Sequence, residues 1–231
     1  MPALSIIIPT LNEEARIGAA LTGLAPLRTR AVEVIVADGG SRDRTTAIAA
    51  PFADQVITGP RSRSQQMNAG ASVATGALLL FLHADTMLPA EADMLVVDGL
   101  GRAGLAWGRF DVCIEGSGLL LRLISASMNW RSRLTGIATG DQAMFVTREA
   151  FSAVGGFSDI ALMEDVELSK RLKRISPPLC LAARVTTSGR RWEQNGVLRT
   201  MLLMWRLRLA YWLGAEPDAL ARRYGYSPRN G

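Results

Sequence analysis

Two cysteines, Cys113 and Cys180, and a single histidine, His83, are all that 231 residues offer. This scarcity excludes a disulfide framework and any zinc cluster built from Cys and His at short spacing. Both cysteines lie in apolar stretches and read as buried thiols of a reducing compartment. No stretch reaches the roughly 18 uninterrupted apolar residues of a membrane-spanning helix. The start, Met-Pro-Ala, runs into an apolar segment without a basic leader or cleavage site, so a cytoplasmic protein is expected. A G-x-G-x-x-G turn after the first strand and a phosphate-loop G-K-[ST] are both missing, which argues against a nicotinamide enzyme and an ATPase. Lysine is almost absent too: of 26 basic residues only Lys170 and Lys173 are lysines.

What is abundant is apolar sequence, 48% of the chain, in short runs. "ALSIII" (3–8), "VEVIVAD" (32–38) and "LLLFL" (78–82) are greasy enough to be strands buried on both faces. They alternate with helical patterns at 10–24, with Asn12 as cap, at 41–50, capped by Ser41, and at 62–75. A short strand is expected at Val56–Ile57. Strand-helix alternation of this kind predicts a parallel sheet with right-handed crossovers. "RFDVCI" (109–114) alternates like a half-exposed strand, so the sheet should become mixed from there. A helix near 118–130, a glycine-rich loop at 135–141, a strand at 143–147 and a helix at 163–174 follow. The helix at 163–174 should face inward through Leu168, Leu172 and Ile175.

Charge is unevenly spread. The net +5 comes from the last fifth of the chain, where nine arginines from Arg184 onward oppose Glu193, Glu216 and Asp218. "GVLRTMLLMWRLRLAYWLG" (196–214) is the most apolar helical segment, and its arginines do not share one side. It needs a cover: the rest of the chain, a second subunit or an anionic membrane surface met through Trp205 and Trp212. Nucleic acid is not expected, because "RRW" lacks a repeated aromatic-basic platform.

In open parallel sheets ligands collect at the carboxyl ends of strands. Three strand ends carry polar tips: Pro9-Thr10, Asp38-Gly39-Gly40-Ser41 and His83-Ala84-Asp85. Asp38 can accept hydrogen bonds from a nucleobase or ribose, and the glycines allow close approach. Asp85 suits Mg²⁺ or Mn²⁺, ions that take one or two carboxylates and complete their shell with phosphate oxygens. His83, two residues earlier, points to the same side if the strand stays extended, as a ligand or as a hydrogen-bonding neighbour. Glu164 and Asp165 open a helix with both carboxylates turned inward, an arrangement a general base requires. Arg61, Arg63, Arg190 and Arg191, with Trp192 adjacent, can meet phosphate.

Taken in order, "SIIIPTLNEE", "VIVADGGSRDRT", "AGASVATGALLLFLHADT", "GGF" and "EDVELSKRLKR" resemble the family 2 glycosyltransferases of the glycosyltransferase-A fold, over residues 3–192. The resemblance implies one Rossmann-like α/β catalytic domain (1–192) with a mixed, mostly parallel sheet flanked by helices, and a basic, apolar helical extension (193–231). It implies transfer of a sugar from a nucleotide-diphosphate donor to an acceptor hydroxyl with inversion. Pro9, Thr10, Asn12, Glu13 and Asp38 match nucleotide-binding positions. His83-Ala84-Asp85 stands where the family has Asp-x-Asp, so Asp85 takes the metal role. Asp165 of the Glu164-Asp165 pair takes the role of base. Arg191-Trp192 is similar to the Arg-Trp pair of processive members, although Ser188 replaces the expected Gln. Gly140, Asp141 and Gln142 fall where the acceptor pocket is shaped. The acceptor, lipid or small molecule, is left open, as are a homodimer and contact with the inner face of the plasma membrane. Two alternatives are a nucleotide-sugar-binding domain without transfer, and a nucleotidyltransferase of similar fold. The second normally needs a basic glycine-rich first loop, where this chain has the acidic "PTLNEEARIG".

Overall fold

A computed structural model describes residues 2–116 and 118–226; of Arg191 it describes the backbone and not the side chain. Eight strands form one sheet: β1 (Leu4–Thr10), β2 (Glu33–Asp38), β3 (Gln55–Thr58), β4 (Leu78–Phe81), β5 (Thr86–Met87), β6 (Trp107–Ile114), β7 (Phe145–Thr147) and β8 (Leu179–Thr187). Their spatial order is β3-β2-β1-β4-β7-β6-β8-β5. The first four in that order run parallel, with Thr10 beside Asp38 and Asp38 beside Thr58. β7 is antiparallel to both β4 and β6, and β5 to β8, while β6 and β8 are parallel. The sheet is therefore mixed and mostly parallel, and its three polar strand ends lie on one edge.

The apolar strands alternate between two cores. Leu4, Ile6 and Ile8 of β1 face α1 (Ile17–Gly23), α2 (Ala25–Arg28), α3 (Thr45–Ala49) and α5 (Ala92–Ala103). Ile7, Ile35 and Phe81 face α4 (Arg63–Val73), α7 (Arg148–Ala153) and α8 (Glu164–Leu172). Burial on both faces explains runs without polar alternation. α4 fits tightly because a Cβ on Gly70 would stand 2.5 Å from Ile7 Cγ2.

Several local expectations are corrected. α1 begins at Ile17, not after Asn12, which sits at φ 55° with its side chain accepting from Arg42 N–H. The N–H groups of Asn12, Glu13 and Glu14 instead donate to Ser41 Oγ, Thr45 Oγ1 and Asp43 Oδ2. The loops after β1 and β2 thus satisfy one another, and Ser41 does not cap α3. β6 is buried rather than half-exposed, because α6 (Leu119–Thr135) covers it. Arg109 is fully buried on β6, bonded to Asp111, Ser132 Oγ and Asn129 O. Arg133 grips the same Asp111 carboxylate with two bonds of 2.7 and 2.8 Å. Ile175 falls beyond α8 and is 47% exposed. Both cysteines are half-buried.

The C-terminal segment forms α9 (Arg190–Asn195), α10 (Val197–Trp212) and α11 (Pro217–Tyr224). Leu207, Leu220 and Ala221 pack onto Ala161, Leu162 and Met163, the segment leading into α8. That packing gives α10 one covered side. Its opposite side leaves Leu198, Leu202, Trp205 and Leu209 more than half exposed. Among the described residues no helix is long and apolar enough to cross a membrane.

Candidate active site

The edge carrying the strand tips opens into a cleft of about 200 Å³, walled by Pro9, Glu13, Arg63, Ala84, Asp85 and Ser188, among others. β4 ends at Phe81, and a turn closed by Thr86 N–H to His83 O follows. The strand does not extend to His83 and Asp85 as expected, yet both line the cleft. His83 Nδ1 lies 3.3 Å from Asp141 Oδ1, and a Cβ on Gly140 would stand 2.5 Å from His83 Nε2. Asp85 faces the cleft, and among the described residues its carboxylate has one polar neighbour, Thr86 Oγ1 at 3.5 Å.

Directly beside the cleft, a chamber of about 70 Å³ is lined by Arg63, His83, Gly140, Asp141, Glu164 and Asp165. Arg63, His83 and Asp141 belong to both spaces. The His-Ala-Asp tip and the Glu164-Asp165 pair, some eighty residues apart in sequence, thus share one continuous site. Asp165 Oδ2 accepts from Gly140 N–H at 2.8 Å and Oδ1 from Val166 N–H at 2.7 Å. Two backbone donors fix the carboxylate in orientation, and the positive end of α8 favours its charge. Glu164 is 5% exposed, with Oε1 3.5 Å from an Arg63 guanidinium nitrogen. Burial raises the Glu164 carboxyl above its ordinary value; Arg63 opposes this and Asp165 adds to it. Asp141 lies below its ordinary value: burial pushes it up, but the His83 bond and the charges of Arg63 and Arg208 prevail.

The Glu164 shift has a stability consequence. A carboxyl whose folded pKa is raised costs stability as pH climbs above its unfolded value, near 4.5, towards the folded one. The Tm difference between Glu164→Gln and wild type should be flat below that pH and grow in the variant's favour above it. Thermal melts from pH 4 to 8.5 check this; a difference that shrinks as pH rises would show that Arg63 wins over burial.

Other predicted residues brace the site rather than line it. Asp38 is 2% exposed, and its carboxylate accepts from Gly40 N–H, Ser41 N–H, Ser41 Oγ and Thr10 Oγ1. It shapes the second loop, where Gly40 adopts φ 84°. Gly39 is buried beside the Gln66 amide, which donates to Thr10 O and Ala37 O and ties the two strand ends together. Gln142 is buried, closing a capping box with Thr139 and approaching Asn129 of α6. Arg61 is exposed and does not line the cleft. Trp192 lies in the cleft wall, whereas the side chain of Arg191 is outside the described residues.

The sequence reading did not single out the roof. Thr200 and Met204 of α10 and Tyr224 of α11 line the cleft, and Arg208 lines the chamber. The signal was present in the arginine of α10 set apart from its fellows. Asn12, Ala143 and Met163, three of the four non-glycine residues with positive φ among the described residues, border this region. Backbone strain of this kind concentrates at functional sites.

Asp85 fits a hard cation, because its oxygens carry only the long Thr86 contact and face a cleft that also holds Glu13 and Asp141. Among the described residues no group of three or more His, Cys, Asp or Glu side chains is arranged to hold a metal ion. A cation here would take one or two carboxylates and find its remaining ligands on phosphate or water.

A mixed α/β sheet with a cleft at its strand tips and a paired acid at a helix start beside it is the architecture with which the comparisons agree. The glycosyl transferase family 2 model matches residues 5–155, and the chain belongs to that family. It is 29% identical, over 94% of its length, to the probable glycosyltransferase YdaM of Bacillus subtilis, of which it spans 56%. The chain thus covers little more than half of that relative. Among solved structures it is similar to S. aureus TarS 1-349 in complex with UDP-GlcNAc, with TM-score 0.66 and 17% identity over 81% of this chain and 58% of that one. It is also similar to the mannosyltransferase PcManGT from Pyrobaculum calidifontis in complex with GDP-Man and Mn²⁺, with TM-score 0.64 and 20% identity over 98% and 66%.

Proposed function

We propose that the protein transfers a sugar from a nucleotide-diphosphate donor to an acceptor hydroxyl with inversion, using Asp165 as general base. One observation carries this reading: Asp85 and Asp165 open into a single site joined through Arg63, His83 and Asp141. The donor diphosphate belongs at Asp85, on the edge where the tips of β1, β2 and β4 meet. The acceptor belongs on the far side of the chamber, beneath Arg208 and Met204.

The acceptor oxygen attacks the anomeric carbon from the face opposite the diphosphate. The new carbon–oxygen bond forms as the bond to diphosphate breaks, and the leaving oxygen keeps the electron pair. The hydroxyl proton passes to Asp165, whose carboxylate is already aligned by Gly140 and Val166 N–H. Holding both substrates in line supplies much of the acceleration. Mg²⁺ or Mn²⁺ held by Asp85 would lend positive charge to the departing diphosphate. Arg63 contributes a fixed charge from the same wall. His83, turned to Asp141, suits bracing of the chamber better than direct ligation. The UDP-GlcNAc of TarS and the GDP-Man and Mn²⁺ of PcManGT support a nucleotide-sugar donor and a divalent ion.

A thermal-shift and calorimetric screen of UDP, GDP and their sugars, with and without Mn²⁺, tests the donor side. One nucleotide diphosphate should bind, and its affinity should fall about tenfold or more in EDTA or with Asp85→Ala. Unchanged affinity in both would remove the cation from the reading. A domain that only binds nucleotide sugars would show that binding with no hydrolysis or transfer.

A further inference from the structure

Beside the chamber runs a second, larger space of about 330 Å³ between α6 and α10. Leu120, Leu123, Met128, Met201 and Trp205 make it predominantly apolar. Its inner end holds Arg131 and Arg208, and Asp141 connects it to the cleft. Arg208 also lines the chamber over Asp165.

These two arginines are not explained by the fold. Nε and one terminal nitrogen of Arg131, and Nε of Arg208, are buried without a hydrogen-bond partner. Among the described residues no carboxylate lies within salt-bridge distance of either. The nearby acids are engaged elsewhere: Asp141 with His83, Asp165 with two backbone N–H groups. Burial, and then the charge of Arg208, press the Arg131 guanidinium down to about 10, with Asp165 offsetting only part. Two like charges, partly desolvated and with buried nitrogens unpaired at the inner end of a greasy groove, are a liability unless an anion joins them. A guanidinium pair is the donor set that phosphate oxygens match best. The groove mouth continues the apolar character outward: Leu119, Leu123, Leu198 and Trp205 are each more than half exposed.

We infer that this groove seats an anionic amphiphile, a lipid phosphate, with its phosphate between Arg131 and Arg208 and its chain along Leu120, Leu123, Met128 and Trp205. On the glycosyltransferase reading above, on which the word acceptor rests, this lipid is the acceptor: a phosphodiester whose headgroup carries a hydroxyl beyond the phosphate, turned past Arg208 towards Asp165. Charge complementarity selects the occupant: a second copy brings a net charge of the same sign, +5, and a neutral lipid leaves both guanidinium groups unpaired.

Binding can be measured without turnover. Dodecyl phosphate, dodecyl maltoside and inorganic phosphate are titrated below the micellar range, following the fluorescence of Trp205 and Trp192 and the heat of binding. Dodecyl phosphate should bind at least about tenfold tighter than the uncharged homologue, since charge-assisted hydrogen bonds are the strong ones, and far tighter than inorganic phosphate. Arg131→Gln and Arg208→Gln should each erase that preference, and Leu123→Asp should weaken both amphiphiles. Arg131→Met should melt higher by roughly 2–4 °C, because it removes a buried group that has no partner. Equal binding of charged and uncharged chains, or a lowered Tm for Arg131→Met, overturns the anion site. Inorganic phosphate binding as tightly as dodecyl phosphate overturns the chain's part in it. A dimer that dodecyl phosphate fails to dissociate gives the face to a second copy, and also overturns it. Nucleotide-diphosphate affinity, followed in parallel, should not change in Arg131→Gln or Leu123→Asp, neither of which lines the cleft or the chamber. Loss of the amphiphile result with donor binding intact defeats this inference alone, whereas absence of any donor binding defeats the transferase reading.

Discussion

Asp165→Asn should lower sugar transfer by about 10²–10⁴-fold, the usual worth of a positioned general base, while donor affinity stays within a few-fold. The substitution keeps the size of the side chain and removes its ability to take a proton. Asp165 holds one backbone N–H on each oxygen, so the amide of Asn can retain only one of them. The loop at Gly140 should loosen slightly, which is a reason to measure binding and turnover separately. Calorimetry with the donor that the screen identifies gives the first, and release of nucleotide diphosphate with or without acceptor gives the second. Near-normal turnover would discard Asp165 as base and leave Glu164, with its raised carboxyl, as the remaining acid at that helix start.

The second large effect concerns stability. Asp111→Ala should cost about 3–5 kcal/mol, the penalty for leaving a buried charge without its partner, and lower Tm by roughly 6–20 °C. Arg109 is fully buried on β6, and Asp111 is the only carboxylate bonded to it among the described residues. Arg133 reaches the same carboxylate from α6. Removing the acid strands one buried guanidinium and releases the clamp between strand and helix. Arg109→Met combined with Asp111→Leu should recover most of the loss, because an apolar pair of similar volume carries no desolvation penalty. Denaturant unfolding of the two variants checks both statements; a loss below about 1 kcal/mol for Asp111→Ala would mean that water reaches Arg109. The clamp also bears on the groove, since α6 carries Leu120, Leu123 and Arg131 on its way to Arg133.

The parallel half of the sheet was legible because Leu4–Ile8, Val34–Ala37 and Leu78–Phe81 are buried on both faces, which leaves the sequence no polar alternation to confuse. Strand ends and helix phase turn Asp85 and Glu164-Asp165 inward, and the family resemblance implied that they meet in one site. Harder to read were side chains whose partners come from remote loops. Nothing local in "TLNEE" says that Thr45 and Asp43 will satisfy its N–H groups, so a cap was assigned to Asn12. Nothing local in "HAD" says that the strand has already ended at Phe81 or that His83 will meet Asp141. β8 escaped notice because Pro177-Pro178 precede it and Arg184 interrupts it, and its partner β6 lies seventy residues upstream. The cleft's roof escaped for a related reason: an apolar helix announces that it is covered on one side, not what it covers.

The roof has an evolutionary consequence. The family match ends at residue 155, before Glu164, Asp165, α10 and α11. Mutations in α10 can reshape what enters from that side without touching the interlocked loops after β1 and β2. Because α10 and α11 roof the cleft and the chamber alike, a graft exchanging residues 196–226 between relatives should change what both spaces admit.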